Sequence, residues 1–294
     1  MLSKDSKIIV TGIRGQLGFD CLRVLAKRGY TNVLGIDKEE LDITDEQAVI
    51  SFIKKEKPVA LIHNAAWSAV DKAEEFPELV NKVNALGPKY LAQGCKMVGA
   101  KMVYISTDYV FDGLGDKPFE VDAKRKGLSV YGKSKADGEK YVEEVLKEHF
   151  IVRTSWAFGI NGNNFVRIML NLADNGKKEL NVVCDQIGSV TYTYDLAELL
   201  TDLIETDKFG IYHATNEGYI SWADFAEKIF ALAGKDVKVN KVTTKEYLAL
   251  NPVQAIRPLN SRLSKKALDK NGFKRLPNWE DALKRYLKEL GRLA

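Results

Sequence analysis

Short apolar runs alternate with amphipathic segments through the first half of the chain. Apolar runs bounded by turn residues predict β-strands at residues 7–10, 32–36, 59–63, 101–106 and 150–154. Between them, apolar positions at helical spacing predict helices over residues 16–28, 45–57, 79–98 and 131–147. Thr44 is the predicted N-cap of the second helix, which Pro58 ends. This alternation is typical of βαβ units, so it predicts an α/β fold with a Rossmann-like, doubly wound parallel sheet.

The pattern becomes less regular after Trp156. A Gly- and Asn-rich loop at residues 159–164 is followed by shorter predicted elements, and residues 241–257 show little periodicity. The predicted elements are strands at residues 180–183 and 211–214, and helices over residues 195–205, 222–233 and 281–290, the second capped by Ser221. We therefore expect a first domain over residues 1–158, to which segments near residues 180–215 return, and a smaller C-terminal α+β domain over residues 159–294.

The composition excludes several classes of protein. The 294 residues are 45% hydrophobic and 29% charged, which is ordinary for a globular protein and excludes a fibre or a disordered chain. The 44 Lys and Arg residues are interspersed with 40 Asp and Glu residues, so we expect no nucleic-acid partner. Three cysteines far apart, without metal-binding spacing, argue against a disulfide framework and a metal site. An N-terminus without an apolar signal segment, and no apolar run of ~18 residues, predict a cytoplasmic protein with no membrane partner.

A glycine-rich turn joins the first predicted strand to the first helix. Gly12, Gly15 and Gly18 follow the spacing G-x-x-G-x-x-G. In this context Gly12 permits a tight turn, Gly15 lets a pyrophosphate approach the backbone, and Gly18 lets the helix pack closely on the strand. Free N–H groups at the helix N-terminus then face the phosphates. The turn predicts a dinucleotide-binding site.

Two residues near this turn favour different dinucleotides. Asp37 ends the second predicted strand, where a carboxylate binds ribose hydroxyls and repels a 2′-phosphate, which favours NADH. Arg14 lies inside the glycine turn, where a guanidinium pairs with a 2′-phosphate and favours NADPH. We therefore predict the use of both cofactors without a strong preference.

A tyrosine, a lysine and a threonine form the candidate catalytic group. Tyr131 and Lys135 are four residues apart, so they lie on one face of a helix. A nearby ammonium is expected to lower the pKa of the phenol and make Tyr131 a better proton donor to a carbonyl oxygen. Thr107 follows the fourth strand, at the sheet edge where α/β proteins bind ligands, and its hydroxyl is placed to bond the same oxygen. This combination beside a nicotinamide predicts hydride transfer between a carbonyl and an alcohol carbon.

Eight segments spread over nearly the whole chain carry a further signal, at residues 11–18, 64–74, 106–113, 131–135, 153–156, 163–165, 185–188 and 257–263. The most specific are residues 69–74 (Ala-Val-Asp-Lys-Ala-Glu), 108–111 (Asp-Tyr-Val-Phe) and 153–156 (Arg-Thr-Ser-Trp). Together the segments resemble the dTDP-4-dehydrorhamnose reductase family of the extended short-chain dehydrogenase/reductase superfamily. Two positions depart from the family pattern: Trp67 replaces a smaller ring, and Val190 replaces a proline.

The resemblance implies NAD(P)H-dependent reduction of the C4 ketone of dTDP-4-dehydro-6-deoxy-L-mannose to dTDP-L-rhamnose. It implies that Tyr131 donates the proton, with Lys135, Thr107 and the supporting Asn84 beside it. It assigns further cofactor contacts to Gln16, Leu17, Asp42, Ile43, Ala65, Ala66, Trp67 and Ser68, and sugar contacts to Thr107, Asp108 and Trp156. Residues 159–294 then form the sugar-nucleotide domain, where Arg257 is our candidate for binding the substrate diphosphate.

Other functions stay open at this point. Another sugar-nucleotide ketoreductase of the same superfamily is one alternative. A non-catalytic regulatory subunit of methionine adenosyltransferase, which resembles these reductases, is a second. A sugar-nucleotide dehydratase is disfavoured, because Tyr109 stands where the dehydratase pattern has a catalytic glutamate. The resemblance also leaves room for a homodimer and a bound Mg²⁺, neither of which follows from these residues.

Overall fold

Six parallel strands form the central sheet of the computed structural model, which describes residues 2–250 and 255–294. The strands in these residues are β1 (Ile8–Thr11), β2 (Val33–Ile36), β3 (Ala60–His63), β4 (Lys101–Thr107), β5 (His149–Thr154), β6 (Ala157–Phe158), β7 (Glu179–Val183), β8 (Ile187–Gly188), β9 (Thr191–Tyr192), β10 (Gly210–His213), β11 (Ile220–Ser221), β12 (Lys238–Val242) and β13 (Asn260–Ser261). The central sheet has the order β10-β5-β4-β3-β1-β2. The predicted Rossmann-like parallel sheet is therefore confirmed.

Helices cover both faces of this sheet. They are α1 (Gln16–Lys27), α2 (Glu46–Glu56), α3 (Val70–Ala73), α4 (Pro77–Asn81), α5 (Gly87–Val98), α6 (Val130–Val145), α7 (Phe165–Asp174), α8 (Thr193–Ile204), α9 (Trp222–Leu232), α10 (Thr244–Leu250), α11 (Lys266–Lys270) and α12 (Trp279–Glu289). Buried side chains of α1 and α8 pack on one face, and those of α2, α5 and α6 pack on the other. No helix in the described part of the chain is both long and apolar enough to cross a membrane.

The chain order reverses between β1 and β3, which lie side by side in the sheet. In open α/β sheets such a reversal leaves a crevice at the carboxyl ends of the strands. Thr11 and His63 end these two strands, and the Thr11 hydroxyl lies 2.7 Å from Nδ1 of His63. The backbone N–H groups of Asn64 and Ala65 also donate to the Thr11 hydroxyl, at 3.2 Å each. These bonds fix the two strand ends on either side of the crevice.

Two local predictions need correction. Asp45, not Thr44, is the N-cap of α2, because its carboxylate accepts a hydrogen bond from the Ala48 N–H, whereas Thr44 donates its hydroxyl to Asp42. The helix predicted over residues 79–98 is interrupted by a π-helical turn at Lys82–Leu86. That wider turn separates α4 from α5 and carries Asn84 in a buried position.

The second half builds its own apolar core from α7, α9 and α12. Three small sheets of the described residues accompany this core: β7 pairs with β12, β6 pairs with β9, and β8 lies between β11 and β13. Of the segments expected to return to the first domain, α8 packs against the central sheet and β10 forms its edge, whereas β7 stays in the small sheet. The region with little periodicity contains α10, and its residues 251–254 lie outside the described residues. The proposed boundary at residue 158 stays a prediction.

Candidate active site

A cleft of about 680 Å³ opens at the carboxyl ends of the central strands. Its walls come from the β1–α1 turn, the ends of β2, β3 and β4, the start of α6 and residues 154–157. The predicted site residues that line it are Gly12, Arg14, Gly15, Gln16, Leu17, Gly18, Asp37, Asp42, Ile43, Ala65, Ala66, Trp67, Ser68, Thr107, Asp108, Tyr131, Lys135 and Trp156. Among the predicted residues, Asn84 and Arg257 do not line it.

In the glycine turn at one end of the cleft, Gly12 and Gly18 leave no room for a side chain. A Cβ on Gly18 would lie 2.1 Å from the carbonyl oxygen of Gly12, and a Cβ on Gly12 would lie 2.8 Å from the backbone nitrogen of Ala65. Gly15 caps α1 without any side-chain hydrogen bond, so the first N–H groups of the helix stay available. This bare helix start fits the phosphates of a dinucleotide.

The loop after β6 contacts this turn, a contribution that the sequence analysis did not assign. The amide oxygen of Gln16 accepts hydrogen bonds from the Gly159 N–H at 2.8 Å and from Asn164 Nδ2 at 3.0 Å. Asn161 Nδ2 donates to the carbonyl oxygen of Arg14 at 2.8 Å. The C-terminal half therefore helps to hold the glycine turn in place.

Asp37 and Arg14, the two predicted determinants of cofactor choice, both line the cleft. The Asp37 carboxylate accepts hydrogen bonds from the backbone N–H groups of Arg14 and Lys38, each at 3.0 Å. The Arg14 guanidinium is exposed and pairs with Glu39, with 2.5 Å between Nη1 and Oε1. Asp42 accepts two hydrogen bonds from Thr44, which lower the pKa of the Asp42 carboxyl. Arg14 is thus occupied by a partner that the sequence analysis did not consider.

Tyr131, Thr107 and Lys135 meet at the other end of the cleft. Ser129 caps α6 by accepting a hydrogen bond from the Gly132 N–H, so Tyr131 lies in the first helical turn. Thr107 ends β4 and lines the same cleft as Tyr131. Lys135 Nζ donates to the carbonyl oxygen of Ile105 at 2.7 Å. The phenol, the hydroxyl and the ammonium therefore come together at one wall of the cleft.

The pKa of Tyr131 differs from the sequence-based expectation. Burial is the largest cause that raises the pKa of Tyr131 to about 12, and the charge of Asp108 adds to it, whereas the nearby Thr107 side chain opposes the shift. Burial lowers the pKa of Lys135 to about 7, against an opposing contribution from Glu139. The expected lowering of the Tyr131 pKa was therefore wrong for this structure. A phenol with a high pKa keeps its proton at neutral pH, so it is available as an acid.

Asp108 is a buried carboxyl group beside these residues. Thr107 donates its hydroxyl to Asp108 Oδ1 at 3.1 Å, and the Ser261 hydroxyl donates to Asp108 Oδ2. Burial raises the pKa of Asp108 to about 6, and both hydrogen bonds oppose the shift. Ser261 lies in β13, far along the chain, within the segment at residues 257–263 that carries the family resemblance, but the sequence analysis assigned it no role.

Trp156 adopts a constrained conformation at the cleft wall. Its φ of +49° is left-handed, which is uncommon for a bulky side chain and costs conformational energy. Its ring stacks on Trp222, with ring centroids 3.8 Å apart and planes tilted by 14°. A Cβ on Gly188 would lie 3.0 Å from the Trp156 ring, so glycine makes room for it. The aromatic face is therefore held in one orientation at the cleft.

Asn84 and Arg257 act from outside the cleft wall. Asn84 Oδ1 accepts a hydrogen bond from the Trp67 N–H at 2.8 Å, while its Nδ2 donates to the Trp67 carbonyl oxygen and to the Ser134 hydroxyl, each at 3.1 Å. Asn84 therefore ties the segment after β3 to α6. Arg257 Nη2 donates to Asp71 Oδ2 at 2.7 Å. Across residues 2–250 and 255–294, no group of three or more His, Cys, Asp or Glu side chains is placed to hold a metal ion.

A parallel sheet with a glycine turn after β1, a hydroxyl at the end of β4 and a Tyr-Lys pair on α6 defines an extended short-chain dehydrogenase/reductase. The family model described as RmlD substrate binding domain matches residues 6–292. The chain therefore belongs to the RmlD family, and the resemblance found in the sequence is confirmed.

Named relatives support this assignment over nearly the full length. A dTDP-4-dehydrorhamnose reductase from Aggregatibacter actinomycetemcomitans is 40% identical over 291 residues, which cover 95% of this chain and 97% of that protein. The crystal structure of a dTDP-4-dehydrorhamnose reductase from Clostridium acetobutylicum has a TM-score of 0.93 at 42% identity, covering 97% of this chain and 99% of that one. The enzyme of the same name from Bacillus anthracis, in complex with NADP, gives a TM-score of 0.92 at 40% identity with the same coverage.

Proposed function

We propose that this protein reduces the C4 ketone of dTDP-4-dehydro-6-deoxy-L-mannose to give dTDP-L-rhamnose, with NADPH or NADH as the reductant. The observation that carries the proposal is the convergence of Thr107, Tyr131 and Lys135 in the cleft that begins at the glycine turn. The identity of the substrate is inferred from the family, since related proteins from three bacteria bear the name dTDP-4-dehydrorhamnose reductase.

The bare glycine turn and the free N–H groups of α1 fit a dinucleotide, as does the position of Asp37 at the end of β2. When bound, the dinucleotide supplies a hydride to the ketone carbon. Gly15, Gln16 and Leu17 would hold its pyrophosphate, and Lys135 would hold its nicotinamide ribose. The side chains of this chain then have to orient the carbonyl group and supply one proton.

The Tyr131 hydroxyl supplies that proton to the ketone oxygen as the carbon is reduced, leaving a phenolate that takes a new proton from solvent. The raised pKa of Tyr131 keeps the phenol protonated before the reaction. Thr107 lines the cleft with Tyr131 and is placed to orient the same oxygen. Lys135, in its ammonium form, stabilises the phenolate as it forms. The products are one alcohol and one oxidised cofactor, so electrons and protons balance.

The sugar nucleotide would lie between the reacting end of the cleft and the C-terminal half. Asp108 and Trp156 line the cleft beside Tyr131, so they are placed to contact the sugar. Arg257 is about one-third exposed, which leaves part of its guanidinium available to the substrate diphosphate. Unchanged KM for the sugar nucleotide in Arg257→Ala would contradict this role.

Cofactor use follows from the ribose end of the cleft. Asp37 favours NADH and Arg14 favours NADPH, so we propose that both serve without a strong preference. A ratio of kcat/KM values above roughly 100-fold, equal to about 2.7 kcal/mol, would contradict this. A homodimer and a bound Mg²⁺ stay predictions of the resemblance, and the chemistry proposed here requires neither.

The test is oxidation of NADPH and NADH by the purified protein with freshly generated dTDP-4-dehydro-6-deoxy-L-mannose, with the product identified by mass spectrometry and NMR. We expect turnover with both cofactors and dTDP-L-rhamnose as the product. Turnover only with a different nucleotide-linked ketone would favour another ketoreductase of the superfamily. Cofactor binding without turnover on any nucleotide sugar would favour a regulatory subunit, which the joint presence of Thr107, Tyr131 and Lys135 disfavours.

A further inference from the structure

The segment at residues 67–74 follows β3 and connects parts of the protein that the proposed chemistry uses separately. It contains the short helix α3, whose residue Val70 lines the cleft. Its acidic side chains contact two different elements: Asp71 contacts residues 255–257, and Glu74 contacts the start of α6. Neither acid has a part in the reaction as described so far.

Asp71 holds the Arg257 side chain and the backbone next to it. Asp71 Oδ2 accepts a hydrogen bond from Arg257 Nη2 at 2.7 Å, and Asp71 Oδ1 accepts one from the Ala255 N–H at 3.4 Å. Arg257 Nη1 also donates to the Ala255 carbonyl oxygen at 3.3 Å. These three contacts order the guanidinium before any anion binds.

The charge of Arg257 acts on Tyr109, which lines the cleft. Burial raises the pKa of Tyr109, and the Arg257 guanidinium acts against that shift. The ring of Tyr109 in turn stands edge-on to the ring of Tyr131, with centroids 5.5 Å apart. Arg257 thus acts electrostatically on a residue whose ring contacts that of Tyr131.

Glu74 holds the first turn of α6. Its Oε1 accepts a hydrogen bond from the Val130 N–H at 2.8 Å. Val130 is the first helical residue and directly precedes Tyr131, so this bond fixes the backbone that carries the phenol. A carboxylate also interacts favourably with the positive end of the helix dipole. Ser129 caps a different N–H group, that of Gly132, so the two side chains are complementary.

The other end of the segment is anchored as well. Asn84 binds both the N–H and the carbonyl oxygen of Trp67 and contacts Ser134 of α6. The segment is thus joined to α6 at both ends, at Trp67 through Asn84 and at Glu74 directly. Asp71 lies between these two attachments, so the position of Arg257 is set relative to Tyr131.

We propose that Asp71 and Glu74 are positioning residues: Asp71 places Arg257 for the substrate diphosphate, and Glu74 places Tyr131 for proton transfer. The inference rests on the proposed function, since it needs a sugar-nucleotide substrate and a proton donor at Tyr131. It predicts that two acids on one segment affect different kinetic constants. Asp71 governs binding of the sugar nucleotide, and Glu74 governs the chemical step.

Steady-state kinetics of Asp71→Ala test the first half of the proposal. KM for the sugar nucleotide should rise about ten-fold while kcat and KM for NADPH stay near wild type, because a guanidinium without its partner is less well ordered. The double variant Asp71→Ala/Arg257→Ala should have a KM for the sugar nucleotide no higher than that of Arg257→Ala alone, because the two substitutions remove the same interaction. If Asp71→Ala does not fold, Asp71→Asn replaces it, with a smaller rise in KM expected.

Glu74→Ala tests the second half. It should lower kcat by roughly ten- to 100-fold with little change in either KM, because a small displacement of a catalytic group has effects of this size. Glu74→Gln should restore most of kcat, since its amide oxygen can accept the same hydrogen bond from Val130. Glu75→Ala is the matched control, because Glu75 is an exposed acid on the next residue, and its kinetics should equal wild type.

The outcomes separate this proposal from the one on which it rests. Wild-type KM in Asp71→Ala, together with a raised KM in Arg257→Ala, would overturn the role of Asp71 and leave the diphosphate role of Arg257 intact. A wild-type KM for the sugar nucleotide in both Asp71→Ala and Arg257→Ala would overturn the positioning role of Asp71 and the diphosphate role of Arg257. Wild-type kcat in Glu74→Ala, or no rescue by Glu74→Gln, would overturn the role of Glu74. Absence of turnover in the wild-type protein would instead overturn the proposed function.

Discussion

Alanine substitutions in the glycine turn separate two effects of an added methyl group: loss of stability and loss of cofactor binding. In Gly18→Ala the new Cβ would lie 2.1 Å from the carbonyl oxygen of Gly12 and 2.6 Å from its carbonyl carbon. Both are backbone atoms that cannot rotate away, so α1 and the turn must move apart. In Gly15→Ala the Cβ would meet the Gly12 oxygen only at 3.2 Å, and the extended backbone of Gly15 suits alanine. The added methyl group then mainly occupies the space that we assign to phosphate.

The expected magnitudes differ accordingly. Overpacking of this kind costs about 1–3 kcal/mol, so Gly18→Ala should lower Tm by several degrees, at roughly 2–4 °C per kcal/mol for a domain of this size. Its dissociation constant for NADPH should also rise, because the turn is displaced. Gly15→Ala should melt close to wild type and yet bind NADPH at least about ten-fold more weakly, since its methyl group blocks the approach to the helix N–H groups.

Calorimetric titration with NADPH and thermal unfolding of the same samples provide the assay. Gly94→Ala is the control, because its Cβ would lie 2.9 Å from the Ile53 side chain in the core, away from the cleft. It should lose stability without losing NADPH affinity. Wild-type stability in Gly18→Ala would refute the close contact of α1 with the turn. Wild-type NADPH affinity in Gly15→Ala would refute the placement of the phosphates there.

Three further changes have predicted effects of known sign. Burial raises the pKa of Asp108 from 3.8 to about 6, so between about pH 4 and pH 6 the folded state keeps a proton that the unfolded state loses. The free energy of unfolding measured with denaturant should therefore fall as the pH rises through that window, by at most roughly 3 kcal/mol at about 1.4 kcal/mol per pKa unit. Asp108→Asn should remove this pH dependence. Glu39→Gln releases Arg14 from an exposed ion pair, so the ratio of kcat/KM for NADPH to that for NADH should rise by about 1.5- to 5-fold; a fall would contradict the pairing. Trp222→Leu removes the ring stacked on Trp156, so KM for the sugar nucleotide should rise by about two- to ten-fold with KM for the cofactor unchanged; equal changes in both would indicate a general loss of structure.

The sequence was informative where the signal is local. The apolar runs predicted the central strands, and the three glycines predicted the turn, because strand burial and tight turns depend on residues next to each other in the chain. The spacing of Tyr131 and Lys135 placed them on one helix face for the same reason. The N-cap of α2 was misassigned because Thr44 and Asp45 are both good capping residues, and only the fold decides which one turns toward the helix.

Contacts between distant parts of the chain could not be predicted from these patterns. Arg257 was singled out for its chemistry, but its partner Asp71 lies 186 residues away, and no local pattern pairs them. Trp222 stacks on Trp156 through a left-handed backbone that no sequence rule assigns to tryptophan. The direction of the Tyr131 pKa shift was also missed, because burial depends on packing from several elements at once.

The central claim is that Tyr131 protonates a sugar ketone as its C4 carbon accepts a hydride. The most direct test uses NADPH deuterated at nicotinamide C4, with the product examined by NMR for wild type and Tyr131→Phe. We predict deuterium at C4 of the dTDP-linked sugar with wild type, and a rate roughly 100-fold or more lower with Tyr131→Phe at nearly unchanged NADPH affinity. Deuterium at another carbon, or turnover of Tyr131→Phe near the wild-type rate, would contradict the account.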